Sequence, residues 1–371
     1  MKKITFLLIS ISIVLHSPAV LGTRKPGDKI TVSNNEFIIW GGAQTAVMPK
    51  GCSTSPDGKY LFVSNFGQKN IKTISVYSTP ELKFIKYIAY KGNSIETIVS
   101  SDSKTLYSTN MYGGWLDLVD IPTLKHIRRV KVGGFPKMML LNRANTKMYM
   151  TQWEGAGFAE VDLGTWKVAY NYIGYKNPRG LNLSKDEKSL YIANNAGKNV
   201  TVVDLSGKLK KNKRRPYRII KTGSGPRHTA ISPDGKYLYV SILGTSVISV
   251  IDTATDKIIK NVPVGNKPKT IEISRDGKFI YTADYTGHSM TVMDTSTYQT
   301  QILPLDIVRA SGLTVSHDDR FIYVTGWCSD DVWAVYRVKP GETAPSKWGP
   351  TIKRRPLNRK SKRDWYGCTI K

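Results

Sequence analysis

Seven times along this chain a tyrosine or phenylalanine sits inside a short β-type phrase of one shape. The phrases are KYLFVSN, KTLYSTN, TKMYMTQ, KSLYIAN, KYLYVSI, KFIYTAD and RFIYVTG. Their aromatics are Phe62, Tyr107, Tyr149, Tyr191, Tyr239, Tyr281 and Tyr323, spaced 45, 42, 42, 48, 42 and 42 residues apart. A fixed period with strand-like content marks an array whose units bury a core only by stacking on their neighbours. Seven such units close into a ring. The expected fold is therefore all-β, a seven-bladed β-propeller of four-stranded antiparallel blades.

The first 22 residues stand apart from the repeat. Lys2 and Lys3 precede an apolar stretch from Ile4 to Leu15, and small residues lead to Gly22. This reads as a secretory signal, too short to span a bilayer. The remaining sequence has no run approaching the length of a transmembrane helix. The expectation is an exported chain (periplasm, cell surface or medium), monomeric, with a propeller over residues 23–340 and a basic tail over 341–371. The formal charge is +27, and removing Lys2 and Lys3 leaves +25. Such a charge favours anionic partners. For an exported protein these are an acidic polysaccharide, the envelope surface or a partner protein, and export argues against nucleic acid.

The fifth unit shows the blade pattern. Pro226 opens strand a, Lys236–Ser241 is strand b, Val247–Asp252 strand c and Lys257–Val264 strand d. Asp234-Gly235 between strands a and b, like Asp57-Gly58 and Asp276-Gly277, reads as a type I′ hairpin with both residues at positive φ. Blades two and three lack it, having Asp102-Ser103 and Ala144-Asn145. Strand c ends on Asp120, Asp162, Asp204, Asp252 and Asp294, expected to hold the following turn. The 48-residue gap comes from a basic insertion, residues 207–218, in the c–d loop of blade four. Blade seven stops after strand c near Arg337, while residues 35–42 (NEFIIWGG) precede the first blade as a spare strand. That strand is expected to complete blade seven and close the ring, which removes two exposed edges.

SPDGKYLYVS and HDDRFIYVTG resemble the YVTN family of seven-bladed β-propellers, and the resemblance covers about residues 31–338. It implies the fold. It says little of function, since such propellers include cell-surface proteins, lactonases and cofactor-binding enzymes.

In a propeller the d–a and b–c loops share one face around the channel mouth. Aligning the units puts one position of strand a on that rim, occupied by Lys50, Ile95, Lys137, Arg179, Arg227, Lys269 and Ser311. Five of the seven are basic, where 55 Lys and Arg in 371 residues would give about one. Such a ring focuses positive potential at a concave mouth, unless the position merely tolerates basic residues. Directly after strand b come Phe66, Met111, Trp153, Asn195, Leu243, Tyr285 and Trp327, with Tyr112 and Trp115 nearby. Phe66, Trp153, Tyr285 and Trp327 serve either as a sugar- or peptide-binding layer or as wedges between blades.

The candidates for catalysis are few. His228 and His288 fall on the rim side of adjacent blades, with Asp284 the nearest carboxylate. No zinc-protease, haem-attachment or nucleophile-elbow motif is present. No metal and no cofactor are expected. Cys52 lies inside strand a as a small buried residue. Cys328 at the rim and Cys368 on the tail are expected to form a disulfide that folds the tail over the rim. The reading with most support is a non-catalytic binding or scaffold propeller whose basic, aromatic rim holds an anionic polymer or partner protein. The alternative is a lactonase- or lyase-like enzyme, or a cofactor-handling propeller, acting at the same mouth.

Overall fold

The computed structural model describes residues 24–207, 215–352 and Cys368. Seven antiparallel sheets follow one another around a ring, strand a innermost and strand d outermost. Blades one to six span residues 49–88, 97–131, 136–172, 178–221, 226–263 and 268–304. The segment read as a signal lies outside the described residues.

Central strands are rich in Val, Ile, Leu and aromatic residues because both of their faces meet a neighbouring blade. In strand b of blade five, Leu238, Val240 and Ile242 have no exposed surface, whereas the outer strand, Lys257–Pro263, is mostly exposed. The repeated aromatic is the wedge between blades, and all seven copies are buried. Between blades six and seven, Phe37 packs edge-on against Phe279 and Tyr281 at 5.3 and 5.9 Å. Aromatic pairs in that geometry contribute beyond their buried area.

The ring closes through the N-terminal segment. Strand Asn35–Gln44 pairs with Asp331–Val338, from Glu36 opposite Val338 to Gln44 opposite Asp331. It is longer than the sequence suggests, and Lys29–Val32 adds a fifth strand outside it. Arg337 ties the closure to blade six. Its guanidinium is buried, donates to Asn35 Oδ1 at 3.0 Å and Asp276 Oδ2 at 2.9 Å, and lies over the Phe279 ring.

The a–b turns differ from the expected type I′ geometry. Gly58, Gly235 and Gly277 have positive φ, but Asp57, Asp234 and Asp276 do not. The link is a longer one: Ser55 accepts from Gly58 N–H and donates its own N–H to Tyr60 O. Asp57 occupies the turn to accept from the Ser55 hydroxyl and the Lys59 N–H. Only the residue after Asp then needs the left-handed region. Where Gly is missing, Ser103, Asn145, Glu187 and Asp319 adopt it. Their side chains reach the hairpin of the preceding blade. Ser103 accepts from Asp57 N–H, Asn145 from Ser101 N–H, Glu187 from Arg143 N–H, and Asp319 from both Arg275 and Asp276 N–H.

At the strand c ends the aspartates do hold their turns. Asp162 accepts from the Thr165 N–H and hydroxyl at 2.7 Å, Asp252 from Thr255, Asp204 from Ser206 and Asp120 from Thr123. Residues 208–214 of the insertion are outside the description, but Arg215 at its end donates to Glu160 at 3.0 Å. The start of the tail also packs: Gly349 N–H donates to Trp40 O, and Gly42 N–H to Pro350 O.

Candidate functional site

Six of the seven inner strands begin with a bulge. After Pro49, Pro136, Pro178, Pro226, Pro268 and Ala310 the pairing with strand b slips by one residue. A bulge leaves one residue out of the ladder and re-aims its side chain. The residue following each proline is Lys50, Lys137, Arg179, Arg227 or Lys269, so five blades each turn a cation toward the axis. Glycine lets the inner strands approach closely. A Cβ on Gly312 would lie 1.9 Å from Lys50 O, and one on Gly51 would meet the Glu96 carboxylate.

The ring differs from its expected setting in one respect: it is not an open rim. Lys50, Lys137 and Lys269 are only 6–7% exposed, and Arg179 and Arg227 are half-buried. Burial, which strips water from the charge, is the dominant electrostatic effect. It drives Lys50 down to about 7 against the pull of Glu96, and Arg227 down to about 10. Lys137, Lys269 and Arg179 are also pushed well below their usual values, first by burial and then by repulsion within the ring. Glu96 is the acid these cations share. Burial raises its carboxyl even though Lys50, Lys137, Lys269 and Arg179 favour the charged form. The Nε of Arg179 and of Arg227 is buried with no hydrogen-bond partner among the described residues.

Aromatic side chains cover three of the cations from the loop side. Arg179 lies 4.1 Å and Lys137 5.1 Å from the Trp153 ring centre, and Lys269 3.9 Å from Tyr285 and 4.8 Å from Trp327. Phe66 stacks on Trp327 at 5.4 Å. These rings are at once wedges and a lid. They pack with Met48, Ile95, Met111 and Val308 into an apolar cluster that takes in blades one, two, three, six and seven. Cys368 is part of it, buried and joined to Cys328 by a disulfide with Cα atoms 5.2 Å apart. Cys52 is free and buried, and burial pushes its thiol up.

On the other side of the ring a cavity of about 550 Å³ runs down the axis to the hairpin face. Its lining includes Glu96, His228 and Glu272, and ends at the exposed Arg143, Arg275 and His317. Burial raises Glu272 to about 7 and lowers His228 to about 4. Glu96 and Glu272 were missed from the sequence, although Glu96 directly follows the ring position of blade two and Glu272 lies three residues past Lys269.

The catalytic candidates are not assembled into one constellation. His228 bonds through Nδ1 to Ile271 O at 3.0 Å inside the channel. His288 accepts the Arg309 N–H at 3.0 Å within the b–c turn. Asp284 is fully buried and held by the hydroxyls of Thr282, Ser289 and Thr291, and burial lifts it to about 7. Among the described residues no group of three or more His, Cys, Asp or Glu is arranged to hold a metal.

Comparison with known proteins agrees with this architecture. Residues 123–303 match the family model described as a YNCE-like beta-propeller. A curated relative, Antigen Lp49 of Leptospira interrogans, is 27% identical over 194 residues, covering 51% of this chain and 41% of that protein. The match thus spans about two fifths of the relative's length. A solved structure of Kuenenia stuttgartiensis hydrazine synthase superimposes with a TM-score of 0.68 at 20% identity, covering 79% of this chain and 97% of that one. At that identity the likeness is one of fold.

Proposed function

We propose that this chain is an exported, non-catalytic binding propeller that holds an anionic group of a ligand or partner at the basic ring in its channel. The observation that carries the reading is the ring itself. Three buried lysines and two half-buried arginines from five blades converge, with Glu96 as the acid among them. Buried charge without matched partners is expensive. A fold stabilised by its blade interfaces does not need it, and strongly perturbed groups gathered beside a cavity, here with Glu96 and His228 lining it, mark candidate functional sites. Export rests on the composition of residues 1–22.

Titration calorimetry with inorganic phosphate, sulfate and citrate tests the reading. The Arg179→Gln/Arg227→Gln double variant is expected to lose roughly 3 kcal/mol of affinity, about a hundredfold, from two partly enclosed charge-assisted contacts. Equal binding by that variant and wild type would sink it. An enzymatic reading would draw on His228 and Glu272, which line the cavity together. Its signature would be a turnover abolished by His228→Gln with anion affinity unchanged.

A further inference from the structure

The ring has two sides along the axis, and the two are chemically unlike. The loop side carries the apolar cluster of Met48, Phe66, Ile95, Met111 and Trp327 with Cys368 fixed into it. The hairpin side carries a passage of mixed polar and apolar lining, whose inner residues Glu96 and His228 lie beside Lys50 and Arg179 of the ring. From the ring outward it presents His228, Glu272, Asn182 and Asn142, then the exposed Arg143 and Arg275. At about 550 Å³ its volume falls in the range of small-molecule pockets and excludes a folded chain or a branched polymer.

We propose that the ring's ligand is a small polyvalent oxyanion of the phosphate or polycarboxylate kind, and that it reaches the ring from the hairpin face, past Arg143 and Arg275, with the lid as a fixed backstop. This rests on the reading of the ring as an anion site and adds the ligand's size and its route. Arg179 and Arg227 offer the contact. Both are half-buried, and each has a buried Nε without a partner among the described residues. The arginines at the hairpin end raise the local concentration of anions at the passage. Five cations against Glu96 favour a ligand with more than one negative charge.

Protonation supports the same picture. Lys50 faces Glu96, Arg179 and Arg227, and the ring brings Lys137 and Lys269 close. Glu272 faces Arg275 and Glu96. Burial lowers Lys50 to about 7 and raises Glu272 to about 7, so below neutrality the site holds more positive charge and its acid can donate to an oxyanion. Anion affinity is expected to weaken as pH rises through 7.

Stopped-flow tryptophan fluorescence provides the test, since Trp153 lies against Arg179, with pyrophosphate and citrate as probes and heparin as the polymeric competitor. Wild type is expected to bind both small probes with no competition from heparin. Arg143→Glu/Arg275→Glu is expected to slow association at least tenfold, as is Thr314→Trp, which narrows the passage. Because Thr314→Trp perturbs an inner strand, the exposed arginine pair is the decisive variant. Cys328→Ser/Cys368→Ser is expected to leave association rates unchanged. Faster association in the cysteine variant, with none of the hairpin-side variants having an effect, overturns the route while leaving the ring as the site. Competition by heparin at equal charge overturns the size class. No binding of any probe to wild type overturns this proposal and the anion reading together.

Discussion

Lys50 shows what a single position contributes. Its ammonium is held in the channel at a folded value of about 7, against an ordinary value of 10.5. Between those values the unfolded chain binds a proton that the folded chain does not. Stability of the ligand-free protein is therefore expected to rise with pH from about 7 to about 9, below the range where tyrosines ionise. Below 7 both states are protonated and the penalty is fully present. Lys50→Met is expected to melt higher than wild type at pH 7 and to show a shallower slope over this window. An identical slope in thermal melts would place the proton elsewhere. The ring was legible in the sequence because the repeat supplies its own alignment, and five basic residues at one aligned position stand out. Its burial was legible only in the expected Cys328–Cys368 link, because the aromatic cover is built from b–c loops of several blades, far apart in the chain, that no local pattern joins.

Among the elements, the a–b hairpins show how a departure from the repeat can be informative. The Asp-Gly pairs suggested a type I′ turn, and the structure places only the second residue at positive φ. The serine that precedes the pair was the missed signal. Ser55, Ser232 and Ser274 each donate to the turn aspartate and accept the N–H five residues on, which a two-residue turn leaves no room for. Blades lacking the glycine looked irregular, yet each uses the replacement to bond the preceding hairpin. Asp319 is the strongest case, buried and accepting two backbone N–H groups of blade six. Asp319→Ala is expected to cost about 1–3 kcal/mol, read as a lower urea midpoint with unchanged m-value. Asp319→Gly relieves the backbone but restores neither bond, so it is expected to recover only part of the loss. Full recovery by glycine would show that strain and not stitching matters there.

For the whole molecule, closure depends on one pairing between distant segments. Deleting residues 23–42 removes Lys29–Val32 and most of the strand that completes blade seven. It exposes the edge of Asp331–Val338 and strips Phe37 and Ile39 from the core between blades six and seven. The deletion variant is expected to aggregate or to lose its cooperative melt, and a wild-type melting curve would show that blade seven stands on three strands. Ring, blade count and closing strand were all visible in the sequence, since each follows from periodicity and from counting strands. The fifth strand and the docking of residues 349–350 on Trp40 and Gly42 were not, because neither belongs to the repeat.

That closing pair also sets an order of events. Residues 35–44 are synthesised well before their partners, 331–338, which come almost three hundred residues later. Pairings so remote in sequence are slow to form, because the entropy of drawing the chain together must be met before the contact rewards it. Until the last blade has emerged, the early strand has no partner and the ring cannot lock. The blades made in between can pack on one another in turn, but the molecule becomes rigid only once its two distant segments have met.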